Sequence, residues 1–235
     1  MNNIIIPFRA NLLESDSSPY SNTMSLLFDG MDDYVDCGND TNLQFSSSFT
    51  ISLWCKISDT GTNMMLSKDN SAFIGEGYHL DIQNGTKIRA WAWNANQLLS
   101  ATGLTYNVWH NIMFIFESTG GANGNQYLYI DGALASNNSI TNFQAATVKN
   151  LRIGSAEIFS NYTAGNIDEV SLYDKVLTPS EIATVSTAPT VDLTDLSPIS
   201  WYRFEEGMGT TAIDSGSGGN DGTLINGPTY QMDVP

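Results

Sequence analysis

The sequence offers oxygen ligands more freely than imidazole or thiol. Between Asp214 and Gly222, the side chains of Asp214, Asn220 and Asp221 are spaced by Gly216, Gly218 and Gly219. Ca2+ takes about six to eight oxygens in loose geometry, and glycines let carbonyls turn inward, so this loop suits it. The same residues also suit a glycine-rich turn closed by Asx-type hydrogen bonds. Aromatics form a second set. Trp91 and Trp93 lie two apart, as do Tyr127 and Tyr129, so each pair shares one face of a strand. With Asn94, Asn96 and Gln97 close by, Trp91, Asn94 and Asn96 are candidate glycan contacts. Core packing is the alternative, and it suits Trp93 and Trp54 better. Acid–base chemistry is poorly supplied. Asp168 and Glu169 are adjacent, so regular strand alternation would point them to opposite faces and prevent joint action. Of the two histidines, His79 and His110, the second sits in an apolar run and reads as structural. No Ser-His-Asp arrangement, nucleotide loop or zinc-ligand set is present.

The balance of charge narrows the partners. Asp plus Glu number 25 against 9 Lys plus Arg, a formal net charge of −16. Such a surface repels phosphate backbones, so nucleic acid is excluded as a partner, while cations are favoured. Solubility in a salty medium is the other account of the same charge. Charged residues are only 14% of the chain, which leaves Asn, Ser, Thr and Gly to supply much of the polar surface of a β-rich, turn-rich protein. At 235 residues and 41% hydrophobic, the chain can bury a sizeable core as one large sandwich. Cys37 and Cys55 are too few for a disulfide scaffold and are expected as free buried thiols, with a single bridge as the alternative. No apolar stretch is long enough to cross a bilayer, and Met1–Arg9 lacks the pattern of a secretory leader. A protein retained in the cytoplasm where it is made is therefore expected, with no membrane partner.

These side chains need strands to position them. Residues 49–57 alternate cleanly, with Phe49, Ile51, Leu53, Cys55 and Ile57 on one face. Asn84-Gly85 and Asp131-Gly132 each separate two strand-like runs and predict hairpins. Residues 108–117 read as a buried central strand. One helix is predicted after Thr178, with Pro179 at its first position and Glu181 completing a capping box. Residues 1–23 read as an arm, either a loosely packed terminus or a segment that docks on another copy or another protein. Many short strands and one short helix indicate an all-β sandwich.

Two blocks carry a family resemblance. Leu27-Phe28-Asp29-Gly30-Met31-Asp32-Asp33-Tyr34-Val35 is followed at a distance by Asn166-Ile167-Asp168-Glu169-Val170-Ser171-Leu172-Tyr173-Asp174. In this order they resemble the laminin-G-like, concanavalin A-like jelly-roll superfamily, in the branch found in phage virion and secreted bacterial proteins. The resemblance implies an antiparallel two-sheet jelly-roll sandwich over residues 24–188. The segment Ser200-Trp201-Tyr202-Arg203-Phe204-Glu205-Glu206-Gly207, running on to Gly222, is similar to the opening of such a module, which in relatives comes first. It is either the start of a second module or, preferably, a circular permutation in which residues 189–235 close the same sandwich. An unpaired apolar strand would be an aggregation hazard. By resemblance, Asp168 and Asp214 are the leading calcium ligands, followed by Asn220 and Asp29. Related glucanases use a Glu-x-Asp-x-x-Glu strand, and here Asn166 stands at its first acid, so no enzymatic activity is expected. The function implied is a non-enzymatic surface protein of a tailed-phage virion, decorating capsid or tail and contacting host glycans. Its expected partners are other virion proteins or its own copies through the arm. The alternative is a secreted, extracellular carbohydrate-binding or adhesion module.

Overall fold

In the computed structural model of the chain, residues 20–69, 76–92, 99–145, 148–157, 161–187 and 189–235 are described, with backbone alone at Trp91 and Leu99. The strands begin with β1 (Ser25–Asp29), β2 (Tyr34–Asp36), β3 (Phe49–Ile57), β4 (Asn63–Asp69), β5 (Gly77–Gln83) and β6 (Lys87–Ala92). They continue with β7 (Leu99–Thr102), β8 (His110–Gly120), β9 (Asn123–Ile130), β10 (Ala133–Ile140), β11 (Arg152–Ile153) and β12 (Ala164–Tyr173). After helix α1 (Pro179–Thr187) come β13 (Ser200–Tyr202), β14 (Thr211–Ala212), β15 (Gly222–Ile225) and β16 (Thr229–Gln231). The first sheet runs β10-β9-β8-β3-β12-β1-β16, with β13 also on β12. The second runs β14-β15-β2-β11-β4-β5-β6-β7. All pairings are antiparallel, and the two sheets make the jelly-roll sandwich that the strand pattern implies.

Side-chain parity fixes how the sheets meet. Phe49, Ile51, Leu53, Cys55 and Ile57 enter the shared core from β3, and Leu66, Tyr78, Leu80, Ile82, Ile88 and Ala90 enter it from the second sheet. Phe49 lies 5.0–5.9 Å, ring centre to ring centre, from Phe45, Tyr78, Phe114, Phe116 and Phe143. Trp54, expected in the core as an aromatic on a sandwich face, is instead half-buried, because its place in β3 turns it to the other face. Both hairpin turns form as their residues dictate. Asn84 and Gly85 have φ of 49° and 63°, and Asp131 and Gly132 have 50° and 77°, the left-handed pair that a tight hairpin needs. The capping box is present: Glu181 Oε2 accepts from the Thr178 amide at 2.7 Å, and Thr178 Oγ1 accepts from the Glu181 amide at 3.4 Å. Ile182 and Val185 of α1 then pack with Met113, Ile115, Tyr173 and Trp201 in a second apolar cluster. Cys37 and Cys55 are free and buried, and burial pushes the Cys37 thiol up to about 12.

The last forty or so residues enter both sheets. β13 pairs residues 200–202 with 172–170 of β12, β15 pairs with β2, and β16 pairs with β1. Trp201, Tyr202 and Phe204 are buried by this arrangement. Asp233 ties the end down, with Lys56 Nζ at 2.7 Å and the Trp109 indole N–H at 3.0 Å.

Candidate functional site

Among the described residues, the predicted site residues fall in four places. Asp168 and Glu169 lie where β12 changes neighbours on one edge, from β1 at residues 164–167 to β13 at 170–172. A bulge interrupts the β12–β3 register between Asp168 and Ser171, and Glu169 has φ of +47°. Strict alternation therefore fails here, and the expectation of opposed faces is corrected: both carboxylates are buried and both reach the segment Tyr20–Asn22. Asp168 accepts from Asn22 Nδ2 at 2.9 Å and from the Glu169 amide at 2.8 Å. Glu169 accepts from the Tyr20 hydroxyl and from the Trp201 indole N–H, each at 2.6 Å. Burial raises both acids, Asp168 well above the usual carboxylate range and Glu169 to about 7. Of the expected arm, only residues 20–23 lie within the described residues, and they are held here.

Asp214 and Asn220 form a different kind of centre. Asp214 Oδ1 accepts from the Trp201 and Gly216 amides, and its Oδ2 from the Asn220 amide, all at 2.8 Å. Asn220 donates its side-chain N–H to Ser200 Oγ at 2.8 Å, and its backbone carbonyl accepts from the Tyr202 hydroxyl at 2.6 Å. Both oxygens of Asp214 thus accept backbone N–H groups, and the loop is closed by Asx-type hydrogen bonds. At Asp168, too, both oxygens face N–H donors.

Asp29 has a different setting. It ends β1, and with Asp32 and Asp33 it forms the one set of three acids or other metal-ligating side chains, among the described residues, whose ligand atoms all lie within 4.8 Å of one another. The turn is built by its sequence. Asp29 Oδ1 accepts from the Met31 and Asp32 amides at 2.8 and 3.4 Å, and Asp33 Oδ2 accepts from the Asp29 amide at 3.0 Å. Gly30 is required between them: its φ is +80°, and a Cβ there would sit 2.8 Å from that of Ala164. Burial raises the Asp33 carboxyl above its usual range, and the charges of Asp29 and Asp32 add to this. Beside the turn is a cleft of about 370 Å³ lined by Leu27, Phe28 and Ala164 on its apolar part and by Asp29, Asp33, Ser58, Asn226 and Thr229 on its polar part. Asn226 Nδ2 donates to the Asp32 carbonyl at 2.9 Å, so the β15–β16 turn forms one wall. Sequence reading missed Asp32, Asp33, Ser58, Asn226 and Thr229. Three acids within five residues around a glycine were the available signal for the first two.

Trp91 belongs to the fourth place. Its backbone lies opposite His79 across β5 and β6, while Asn94 and Asn96 fall outside the described residues. His79 is fully buried there, with Nδ1 2.8 Å from Asp69 and Nε2 3.5 Å from Asp81. Asp81 also takes both arms of Arg89, with Nε at 2.7 Å. Burial alone would lower the His79 pKa, but hydrogen bonds to the two carboxylates outweigh it and the net shift is upward. His110 is structural: its Nε2 accepts from the Thr105 amide at 3.0 Å and its Nδ1 meets Asp131 at 2.8 Å.

With this geometry in hand, the chain can be placed. Residues 29–183 match the family model of the concanavalin A-like lectin/glucanases superfamily. The chain belongs to that superfamily. No curated protein sequence matches it. Among solved structures, this superfamily member is similar to a candidate carbohydrate-binding protein of Bacteroides ovatus, at 18% identity and a TM-score of 0.69, covering 91% of this chain and 61% of the other. It thus spans about three fifths of that relative's length. The carbohydrate-binding module CBM40 of a Ruminococcus gnavus sialidase, bound to α2,3-sialyllactose, shares 16% identity and a TM-score of 0.57, over 69% of this chain and 96% of the other. A heptameric pentraxin of Limulus polyphemus shares 14% identity and a TM-score of 0.54, over 71% and 83%. These likenesses establish a lectin-like fold.

Proposed function

We propose that the chain is a carbohydrate-binding module without catalytic activity, and that its ligand occupies the cleft beside Asp29. The observation that carries this reading is the composition of the cleft. In about 370 Å³ it sets carboxylates, hydroxyls and an amide beside the apolar surface of Leu27 and Ala164. Small-ligand sites commonly enclose about 300–1,000 Å³ with a few placed polar groups. A sugar needs both elements: its hydroxyls take directional hydrogen bonds, and its C–H faces prefer apolar surface. Ser58 and Thr229 can each donate and accept, Asn226 adds an amide, and Asp33 is the buried acceptor.

The chain's acidity bears on the same site. Three carboxylates so close repel one another, and a divalent cation would relieve that repulsion. Asp29, Asp32 and Asp33 are the residues that would hold Ca2+, which supplies, when bound, a hard cation to which neighbouring sugar hydroxyls coordinate. The non-enzymatic reading is supported by the state of Asp168 and Glu169: Tyr20, Asn22 and Trp201 occupy them as donors, away from solvent.

The test is a glycan array probed with the full chain, with calcium and then with chelator. A defined set of retained glycans, lost in Asp33→Asn, is expected. Retention of none, or retention unchanged in Asp33→Asn, would overturn the reading. The narrower placement on a phage virion rests on the paired motifs, and mass spectrometry of purified particles decides between it and a secreted bacterial module.

A further inference from the structure

Residues 20–24 belong to no strand, yet they are gripped closely. The Tyr20 ring lies on Trp201 with centroids 5.4 Å apart and planes 11° from parallel. Its hydroxyl donates to Glu169 at 2.6 Å and accepts from Arg203 Nε at 3.0 Å. The Arg203 guanidinium carbon is 4.1 Å from the Tyr20 ring centre. Next along the chain, Asn22 holds Asp168, and Glu205 accepts from the Thr23 and Met24 amides at 2.8 and 3.0 Å.

The slot around Tyr20 has a recognisable chemistry. It offers one flat indole face, one carboxylate that accepts and one guanidinium that donates, with the last two meeting at a single hydroxyl. A pyranose presents the same pattern. Its C–H face carries slight positive charge and packs on the negative face of an indole. Each of its hydroxyls gives one hydrogen bond and takes another, and such bonds to charged partners are the stronger kind. The indole N–H of Trp201 is already fixed to Glu169 Oε2 at 2.6 Å, so the platform and the acceptor are locked to each other before any ligand arrives. Asn22 Oδ1 is buried without a hydrogen-bond partner, so the fit of the segment to the slot is incomplete.

We propose that the slot formed by Trp201, Arg203 and Glu169 is a second saccharide-binding site, which Tyr20 occupies as an internal stand-in and vacates for ligand. It shares with the cleft reading only the class of ligand and none of its residues. Because side-chain contacts hold residues 20–24, with no backbone ladder, the segment can leave while both sheets remain intact.

The test uses the full chain and calorimetric titration with glucose, galactose, mannose, N-acetylglucosamine and sialic acid. Tyr20→Ala is expected to bind at least one of them about tenfold or more tightly than the unaltered chain, and adding Glu169→Gln to Tyr20→Ala should remove that gain. Asn22→Ala, which loosens the segment and leaves the slot intact, should show a smaller gain and serves if Tyr20→Ala fails to fold. Asp33→Asn should leave the gain untouched, which separates this site from the cleft. The proposal is overturned if the opened variants take up p-cresol but no sugar, or if all variants bind sugar equally.

Discussion

Two buried carboxylate pairs, one on each sheet, are stabilised by opposite means. On the second sheet Asp69 and Asp81 are matched by basic side chains, His79 between them and Arg89 on Asp81. On the first sheet Asp168 and Glu169 are matched mainly by neutral donors, from Asn22, Tyr20 and Trp201. The cause lies in the ladder. Regular register between β5 and β6 sets Asp81 opposite Arg89, so complementary charge comes from the neighbouring strand. At the β12 bulge two acidic side chains share one spot, and donors must come from distant segments at both ends of the chain. The regular cluster is self-contained, whereas the bulged one draws its donors from the N-terminal segment and from β13.

The largest effect should come from cutting the pair matched by basic side chains. Asp81→Ala takes a fully buried carboxylate from half-buried Arg89 and leaves His79 with Asp69 alone of the pair, and loss of one partner of such an ion pair costs about 3 kcal/mol, measurable by urea unfolding. A loss under about 1 kcal/mol would erase the distinction between the clusters. Next in size is the pH dependence of the donor-matched pair. Glu169 rises from 4.5 unfolded to about 7 folded, so its contribution is full below pH 4.5 and is lost as pH climbs through 7. Over that window stability should fall by up to about 3 kcal/mol. Glu169→Gln should flatten the fall, and a profile unchanged by this substitution would contradict the assignment. His79 has the same sign in a higher window. With its pKa raised above 6.5, its contribution is present below pH 6.5 and disappears as pH rises through the folded value. In His79→Gln the slope above pH 6.5 should lessen while the Glu169 slope between pH 4.5 and 7 remains. The smallest effect belongs to Tyr20→Phe, which removes one hydroxyl from Glu169 and Arg203 and should cost about 1.5 kcal/mol in the same unfolding assay.

The same contrast explains what could be read from the sequence. The Asn84-Gly85 turn is a local signal. Once it is placed, alternation carries the register outward to Asp81 and Arg89 without further information. The capping box at Thr178 and Glu181 is local in the same way. Asp168 and Glu169 defeat alternation because one left-handed residue inserts a bulge, and two adjacent acids in an apolar strand were its only sign. Asp214 was ambiguous for another reason. An oxygen-rich, glycine-rich loop looks alike whether its carboxylate faces a cation or three amides, and only folded geometry separates them. The cleft was hidden by distance, since Asp29 and Asn226 come from opposite ends of the chain and meet only once β16 pairs with β1.

The most direct test of the carbohydrate-binding account is amide chemical-shift mapping of the full chain, titrated with the best glycan from the array in the presence of calcium. The account predicts saturable shifts centred on Asp29, Ser58, Ala164, Asn226 and Gly227, the backbone around the cleft. Shifts confined to the β4–β5–β6 face, or none at saturating glycan, would contradict it.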